Sequence, residues 1–183
     1  MKEYISILFM RCILCENWSF LIICKTCQNH FLKPNLHQRH LTEDLRVYSF
    51  YPYDELQELF HAKYHFYGDK IFHILAQHTI QPFIQKLQLP LPKVTTIPID
   101  DHTRYHFSHT AILASYTKTH NIKPHYAQLK ANNPIQYAGK SLEFRKKNPK
   151  QFHYQGKNKQ TIILIDDVVT TGQTILQAQA TLN

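Results

Sequence analysis

No apolar run in the sequence approaches the ~18 residues that a membrane-spanning helix needs. The early apolar stretch Tyr4 to Phe9 is short, follows Glu3, is soon followed by Arg11, and carries no small-residue cleavage site. It does not read as a targeting segment, so membrane insertion is not expected and a cytoplasmic location is. Acids are scarce, with 13 Asp and Glu against 21 Lys and Arg, a formal net charge of +8. That balance favours anionic partners such as nucleic acid, phosphate compounds or acidic lipid. No cysteine follows Cys27, which confines any thiol chemistry to the N-terminal segment.

What is present suffices for a fold. The 183 residues are 43% hydrophobic and 13% aromatic, enough for a core and unlike a disordered chain. The length suits one domain with a small appendage. The four cysteines form two Cys-x-x-Cys pairs, Cys12 with Cys15 and Cys24 with Cys27, separated by eight residues. Zinc takes four tetrahedral ligands, and thiolates suit it. The intervening segment, with Trp18, Phe20, Ile22 and Ile23, is expected to form a short hairpin that returns the second pair to the first. Two disulfides are the alternative, disfavoured in a reducing cytosol. His30 is a substitute ligand in reach, but four sulfurs already close the site, and a closed site is structural.

Phe31 to Glu43 is polar, carries Pro34 and reads as a linker. The division is a zinc module with linker over residues 1–40 and a larger domain over 41–183. "RVYSFYPY" has strand composition. "DELQELFHAKYH" and "GDKIFHILAQHTIQPFIQKL" have helical spacing, with Asp54 placed to cap the first and Pro82 to kink or split the second. "KVTTIPI" reads as a strand, "SHTAILASYTKTH" as a helix capped by Ser108, and "HYAQL" as a further strand. Lys130 to Lys159 reads as basic loop, "QTIILI" as a strand and "GQTILQAQATL" as a helix. Strands alternating with helices predict an α/β fold with a mainly parallel sheet.

The segment Thr161 to Thr174 carries the chemistry. A buried central strand would end at Asp166 and Asp167, where open α/β sheets bind ligands. "VVTTGQT" then leads into a helix N-terminus, whose N–H groups and dipole favour an anion. Thr170, Thr171 and Thr174 add hydroxyls, and Gly172 permits close approach. A phosphorylated sugar fits, with its diol on the acids and its phosphate on the loop. This loop lacks the Gly-Lys-Ser/Thr ending of a Walker loop. The plain alternative is that Asp166 caps the helix and Asp167 is solvated.

The string "ILIDDVVTTGQT" resembles the phosphoribosyl pyrophosphate (PRPP) loop of type I phosphoribosyltransferases. That resemblance implies that Asp166 and Asp167 meet the ribose hydroxyls. It implies that Val169, Thr170, Thr171, Gly172, Gln173 and Thr174 enclose the 5'-phosphate, and that Mg²⁺ bridges ribose and pyrophosphate. With a Cys₄ module ahead of such a domain, the chain is similar to the ComF family of competence proteins. Lys63 and Gly68, the strand "TTIPI", and the spaced Gln136, Leu142, Arg145, Asn148 and Phe152 also match that family. The family's Arg-Gly-Phe-Asn-Gln run corresponds to Tyr105, His106, Phe107, Ser108 and His109, where only the Phe is kept. The resemblance implies a cytoplasmic phosphoribosyltransferase-like protein of natural transformation. Its expected partners are single-stranded DNA, a PRPP-type ligand and a DNA-processing or uptake protein.

The basic stretch Lys140 to Lys159 fits a nucleic-acid role. Arg145, Lys146, Lys147 and Lys150 would contact phosphates, and the interleaved Phe144, Phe152 and Tyr154 would stack on bases. The alternative is a solvated loop with its aromatics folded inward. His102, His106 and His109 would share a face, in a surface or phosphate-contact role rather than a metal site. Two other functions stand beside DNA uptake: an active salvage phosphoribosyltransferase, and an adaptor that uses the zinc module to dock a DNA-processing partner.

Overall fold

The computed structural model describes residues 10–87, 93–99, 106–133, 137, 139–156 and 161–182. His102, Tyr105, Gln136, Lys157 and Lys159 lie outside them. The chain divides into two compact units, Met1–Pro34 and Asn35–Asn183.

In the first unit, strands β1 (Met10–Arg11) and β2 (Trp18–Ser19) pair antiparallel. The Arg11 guanidinium lies 5.1 Å from the Trp18 ring centroid. The hairpin is not the one expected: it encloses the first cysteine pair rather than running between the two pairs. Helix α1 (Lys25–Phe31) starts at Cys24, whose sulfur accepts the Cys27 N–H. Gln28 is buried and donates to the Ile23 carbonyl at 2.6 Å, which satisfies an amide that has left water.

The second unit opens with strands β3 (His37–His40) and β4 (Arg46–Ser49), an antiparallel pair. The expected linker therefore contains a strand, one whose four side chains are all exposed. The strand expected over residues 46–53 stops at Ser49, three residues before Pro52, which has no N–H for a ladder. Helix α2 (Gln57–His61) has Leu56 at its N-cap with no side-chain bond, so Asp54 does not cap it. A 3-10 turn (Ala62–Tyr64) leads to helix α3 (Gly68–His78) and helix α4 (Ile80–Lys86). The helical pattern splits at Thr79, three residues before Pro82. Pro82 thus falls in the first turn of α4, where no N–H is needed. At Gly68 a Cβ would run into the Ala62 carbonyl and stand 2.8 Å from the Phe107 ring, so only glycine fits.

The remaining elements are β5 (Val94–Pro98), α5 (His109–Ser115), β6 (Ile122–Pro124), β7 (Leu129–Ala131), α6 (Leu142–Lys147), β8 (Phe152–Tyr154), β9 (Thr161–Ile165) and α7 (Gln173–Leu182). Ser108 caps α5, accepting the Ala111 N–H. "HYAQL" is mostly a connection between β6 and β7, and the expected basic loop contains β8 and α6. β7 and β8 pair antiparallel.

β6, β5 and β9 form a parallel sheet in that order, so the unit is mixed α/β. β5 is the central strand and is buried throughout. β9 was expected at the centre but lies at an edge of the described sheet. It is nonetheless covered on both faces. Ile162 and Leu164 pack on the cluster that holds Ile97, Phe152 and Ile175, while Ile163 and Ile165 pack on the cluster that holds Phe72, Val94 and Leu113. That alternation is the period of two that a strand imposes. It leaves Asp166 and Asp167 just past the carboxyl end of the sheet. Among the described residues no helix is long and apolar enough to cross a membrane.

Candidate functional site

Two sites are built, one in each unit. In the first, the sulfurs of Cys12, Cys15, Cys24 and Cys27 lie within 4.8 Å of one another. The Cys15 and Cys24 sulfurs are 3.8 Å apart and all four thiols are free. A disulfide would need about 2.05 Å. A tetrahedral zinc with Zn–S bonds of about 2.3 Å has sulfurs about 3.8 Å apart, so the four thiols fit that ion. The Cys24 N–H points at the Cys12 sulfur at 3.3 Å. Burial alone would raise the Cys12 pKa, but N–H groups around its sulfur bring it down to about 6. Burial, then its neighbouring sulfurs, push the Cys27 thiol up. A metal's charge removes that conflict by deprotonating all four. His30 is outside the cluster and packs edge-on against Phe31.

In the second unit, Asp166 and Asp167 open a cavity of about 270 Å³ that continues along the loop into α7. Val169, Thr170, Thr171, Gly172, Gln173 and Thr174 all line it. Among the described residues, the backbone N–H groups of Thr170, Thr171 and Gly172 have no protein partner. The loop is held from outside by Arg39 on β3, which donates to the Thr170 carbonyl at 2.7 Å. The polar strand read as linker therefore positions the anion loop. Gly172 has φ +80, and a Cβ there would lie 2.6 Å from the Leu41 side chain. Gly172→Ala should therefore cost roughly 1–3 kcal/mol from left-handed strain and crowding. The check is a lower urea midpoint at unchanged slope.

At the acid end, Lys63 Nζ donates to Asp167 Oδ2 at 2.7 Å, and His109 Nε2 lies 3.5 Å from the same oxygen. Burial would raise the Asp167 pKa, yet His109 and Lys63 hold it below the ordinary carboxylate value. Asp166 goes the other way. Burial, then repulsion by Asp167, push its pKa well above the usual value. The Asp167 N–H bonds Asp166 Oδ1 at 2.9 Å but does not reverse this. Burial disfavours charged Lys63, but Asp167 outweighs that and raises its pKa. The site thus has one acid kept toward its ionised form by His109 and Lys63, one acid inclined to hold a proton, and the Lys63 cation paired with the first. It offers hydroxyl-accepting oxygens at one end and anion donors at the other.

The basic residues divide. Arg145 and Lys150 line the cavity, and Arg145 donates to the Thr170 hydroxyl at 2.6 Å. Lys146 and Lys147 are exposed on α6. Phe152 is buried and Tyr154 packs on the same core, so these two rings are not available to stack on bases. Sequence reading missed Arg39 and gave His109 no carboxylate partner, because both meet the loop only through tertiary contacts. His106 takes φ +70, a conformation glycine adopts freely, where the resemblance expects a glycine.

No protein-family model matches the chain, and no curated protein matches it.

Proposed function

We propose that the second unit is a phosphoribosyltransferase-like domain that binds a PRPP-type ligand. We further propose that the protein is a cytoplasmic, zinc-stabilised member of the ComF family serving DNA uptake in natural transformation. The observation that carries the ligand reading is that one cavity joins Asp166 and Asp167 to the loop Val168–Thr174 and to Arg145 and Lys150. In this reading the acids accept the ribose hydroxyls. The loop N–H groups and threonine hydroxyls hold the 5'-phosphate, and the α7 dipole adds about 0.3–1 kcal/mol. Mg²⁺ binds through carboxylates and substrate phosphates, a donor set this cavity can complete with its ligand, and it would neutralise the pyrophosphate.

The DNA role rests on the resemblance, on the net charge of +8 and on exposed Lys146 and Lys147. Contact is then mainly through phosphates, since Phe152 and Tyr154 pack on the core, and Phe144, which lies outside it on α6, has the Lys140 ammonium 5.3 Å from its ring centroid.

Calorimetry with PRPP and Mg²⁺ tests the ligand reading. Saturable binding supports it, and no heat at millimolar PRPP overturns it. Pyrophosphate release, measured with and without DNA, would identify a transferase. DNA affinity should fall with salt by a slope of roughly 0.7 per phosphate neutralised on single strands. Alanine at Lys146 and Lys147 should lower both affinity and slope, and salt-independent binding would exclude a phosphate-contacting surface.

A further inference from the structure

We infer that Arg145 and Lys150, braced on Tyr137, form an arm that grips the phosphate seated on the Val168–Thr174 loop and makes recognition depend on a phosphate at that end. This rests on the reading of the cavity as a phosphoribosyl site and adds a determinant to it.

The arm has no core of its own, since α6 buries no residue. Its position is set by polar contacts instead. Tyr137 donates its hydroxyl to the Asn148 carbonyl at 2.7 Å. The Lys150 N–H donates to the Gln177 side-chain oxygen on α7 at 2.9 Å. The Arg145 guanidinium and the Lys150 ammonium stand 5.7 and 5.3 Å from the Tyr137 ring centroid. Arg145 Nε donates to the Lys140 carbonyl at 3.1 Å, and one terminal nitrogen donates to the Thr170 hydroxyl at 2.6 Å.

Two cations are thus held beside the N-terminus of α7, where the helix dipole is itself positive. Lys63 is compensated by Asp167, but Arg145 has no carboxylate in ion-pair range among the described residues. Holding the Arg145 guanidinium beside the positive end of α7 in a half-buried cavity is unfavourable unless an anion completes it. A phosphate suits the remaining geometry. The other terminal nitrogen of Arg145 is left for an oxygen, and the Thr170 hydroxyl, having accepted from Arg145, can donate its own hydrogen to another. A surface role for Arg145 on DNA would not need the side chain turned inward onto Thr170.

The test compares ribose 5-phosphate, ribose and inorganic phosphate by calorimetry on the full chain, for wild type, Arg145→Gln and Lys150→Gln. Wild type should prefer ribose 5-phosphate to ribose. Each variant should lose roughly tenfold or more for ribose 5-phosphate, the value of a hydrogen bond to a charged group. Arg145→Lys should recover part of it, because it keeps charge but loses the fork. Zinc content and urea midpoint should match wild type. If Arg145→Gln does not fold, Arg145→Lys against wild type carries the same comparison. Ribose 5-phosphate affinities within twofold of wild type in both glutamine variants would overturn the arm while leaving PRPP binding intact. Phosphate binding that Arg145→Gln abolishes, with no PRPP binding beyond it, would keep the arm and discard the phosphoribosyl reading. Wild type that binds neither phosphate nor ribose 5-phosphate would remove both.

Discussion

Serine at both Cys12 and Cys24 should abolish zinc binding and unfold the Met1–Pro34 unit. A segment this short cannot stabilise itself by burial alone; below about 40 residues a metal or disulfide is usually required. Among the described residues of this unit, the buried apolar ones are Ile22, Ile23 and Leu32 beside Cys12 and Cys27. A structural zinc supplies on the order of 10 kcal/mol of apparent free energy in small finger peptides, far more than that core. Removing one thiol from each pair leaves two donors and an open site. Wild type should carry about one zinc per chain and the double variant none, with loss of dispersion in the amide NMR resonances of that unit. Binding should weaken at acid pH, because Cys27, whose thiol is pushed up, must lose its proton to solvent before its sulfur can hold the metal. Unchanged zinc in the double variant would show that the ion, if bound, sits elsewhere.

The sequence made some elements legible and hid others for physical reasons. β9 announces itself as a short apolar run, β5 as a β-branched Val-Thr-Thr-Ile stretch, and α7 by its helical spacing, because burial and strand geometry select residue type directly. Ser108 is readable as a cap because the bond it makes is local, to Ala111. β3 is not readable: His37–His40 buries no side chain and is defined by its ladder to β4. β7 and β8 are three-residue strands whose partners lie more than twenty positions apart, beyond any local pattern. An apolar run also cannot distinguish a central strand from an edge strand when both faces are covered, so β9 reads as central although it lies at an edge of the described sheet. At the site, the adjacent acids and the glycine loop are contiguous and so legible. Their partners are not. Lys63 reaches Asp167 across 104 positions, and Arg145 reaches Thr170 across 25. A basic run gives charge but no direction, so Arg145 and Lys150, which face the cavity, read the same as Lys146 and Lys147, which face water.

Asparagine at both Asp166 and Asp167 should weaken PRPP binding by roughly a hundredfold, while the two single changes move stability in opposite directions. Successive residues on a strand point to opposite faces, so two acids converge on one diol only where the strand has ended, as it has after Ile165. Losing the charge of Asp167 weakens the hydrogen bond it accepts by about 1.5–3 kcal/mol, and Asp166, which leans toward its protonated form, contributes nearer the ~1 kcal/mol of a neutral bond, though contacts that share a ligand do not add fully. Asp167 is held below the ordinary carboxylate value, so its contribution to folding is present above that value and is lost as pH falls through the lower, folded one. Asp167→Asn should therefore destabilise the free protein at neutral pH, by about 1–3 kcal/mol, because it leaves Lys63, whose side chain is only 20% exposed, without its carboxylate. Asp166 is raised, so its folded state is favoured in acid and penalised as pH climbs from the ordinary value through the raised one. Asp166→Asn should remove that penalty and raise the neutral-pH melting temperature of the ligand-free protein even as it impairs binding. A residue that destabilises the empty protein yet is required by the ligand is the signature of a site, whereas a helix cap would lose stability on the same change. Calorimetry with PRPP and Mg²⁺, alongside thermal melts at neutral pH, separates the two. If the double variant binds PRPP as tightly as wild type, the carboxylates are not the ribose clamp, and a fall in melting temperature for Asp166→Asn would return that residue to a structural role.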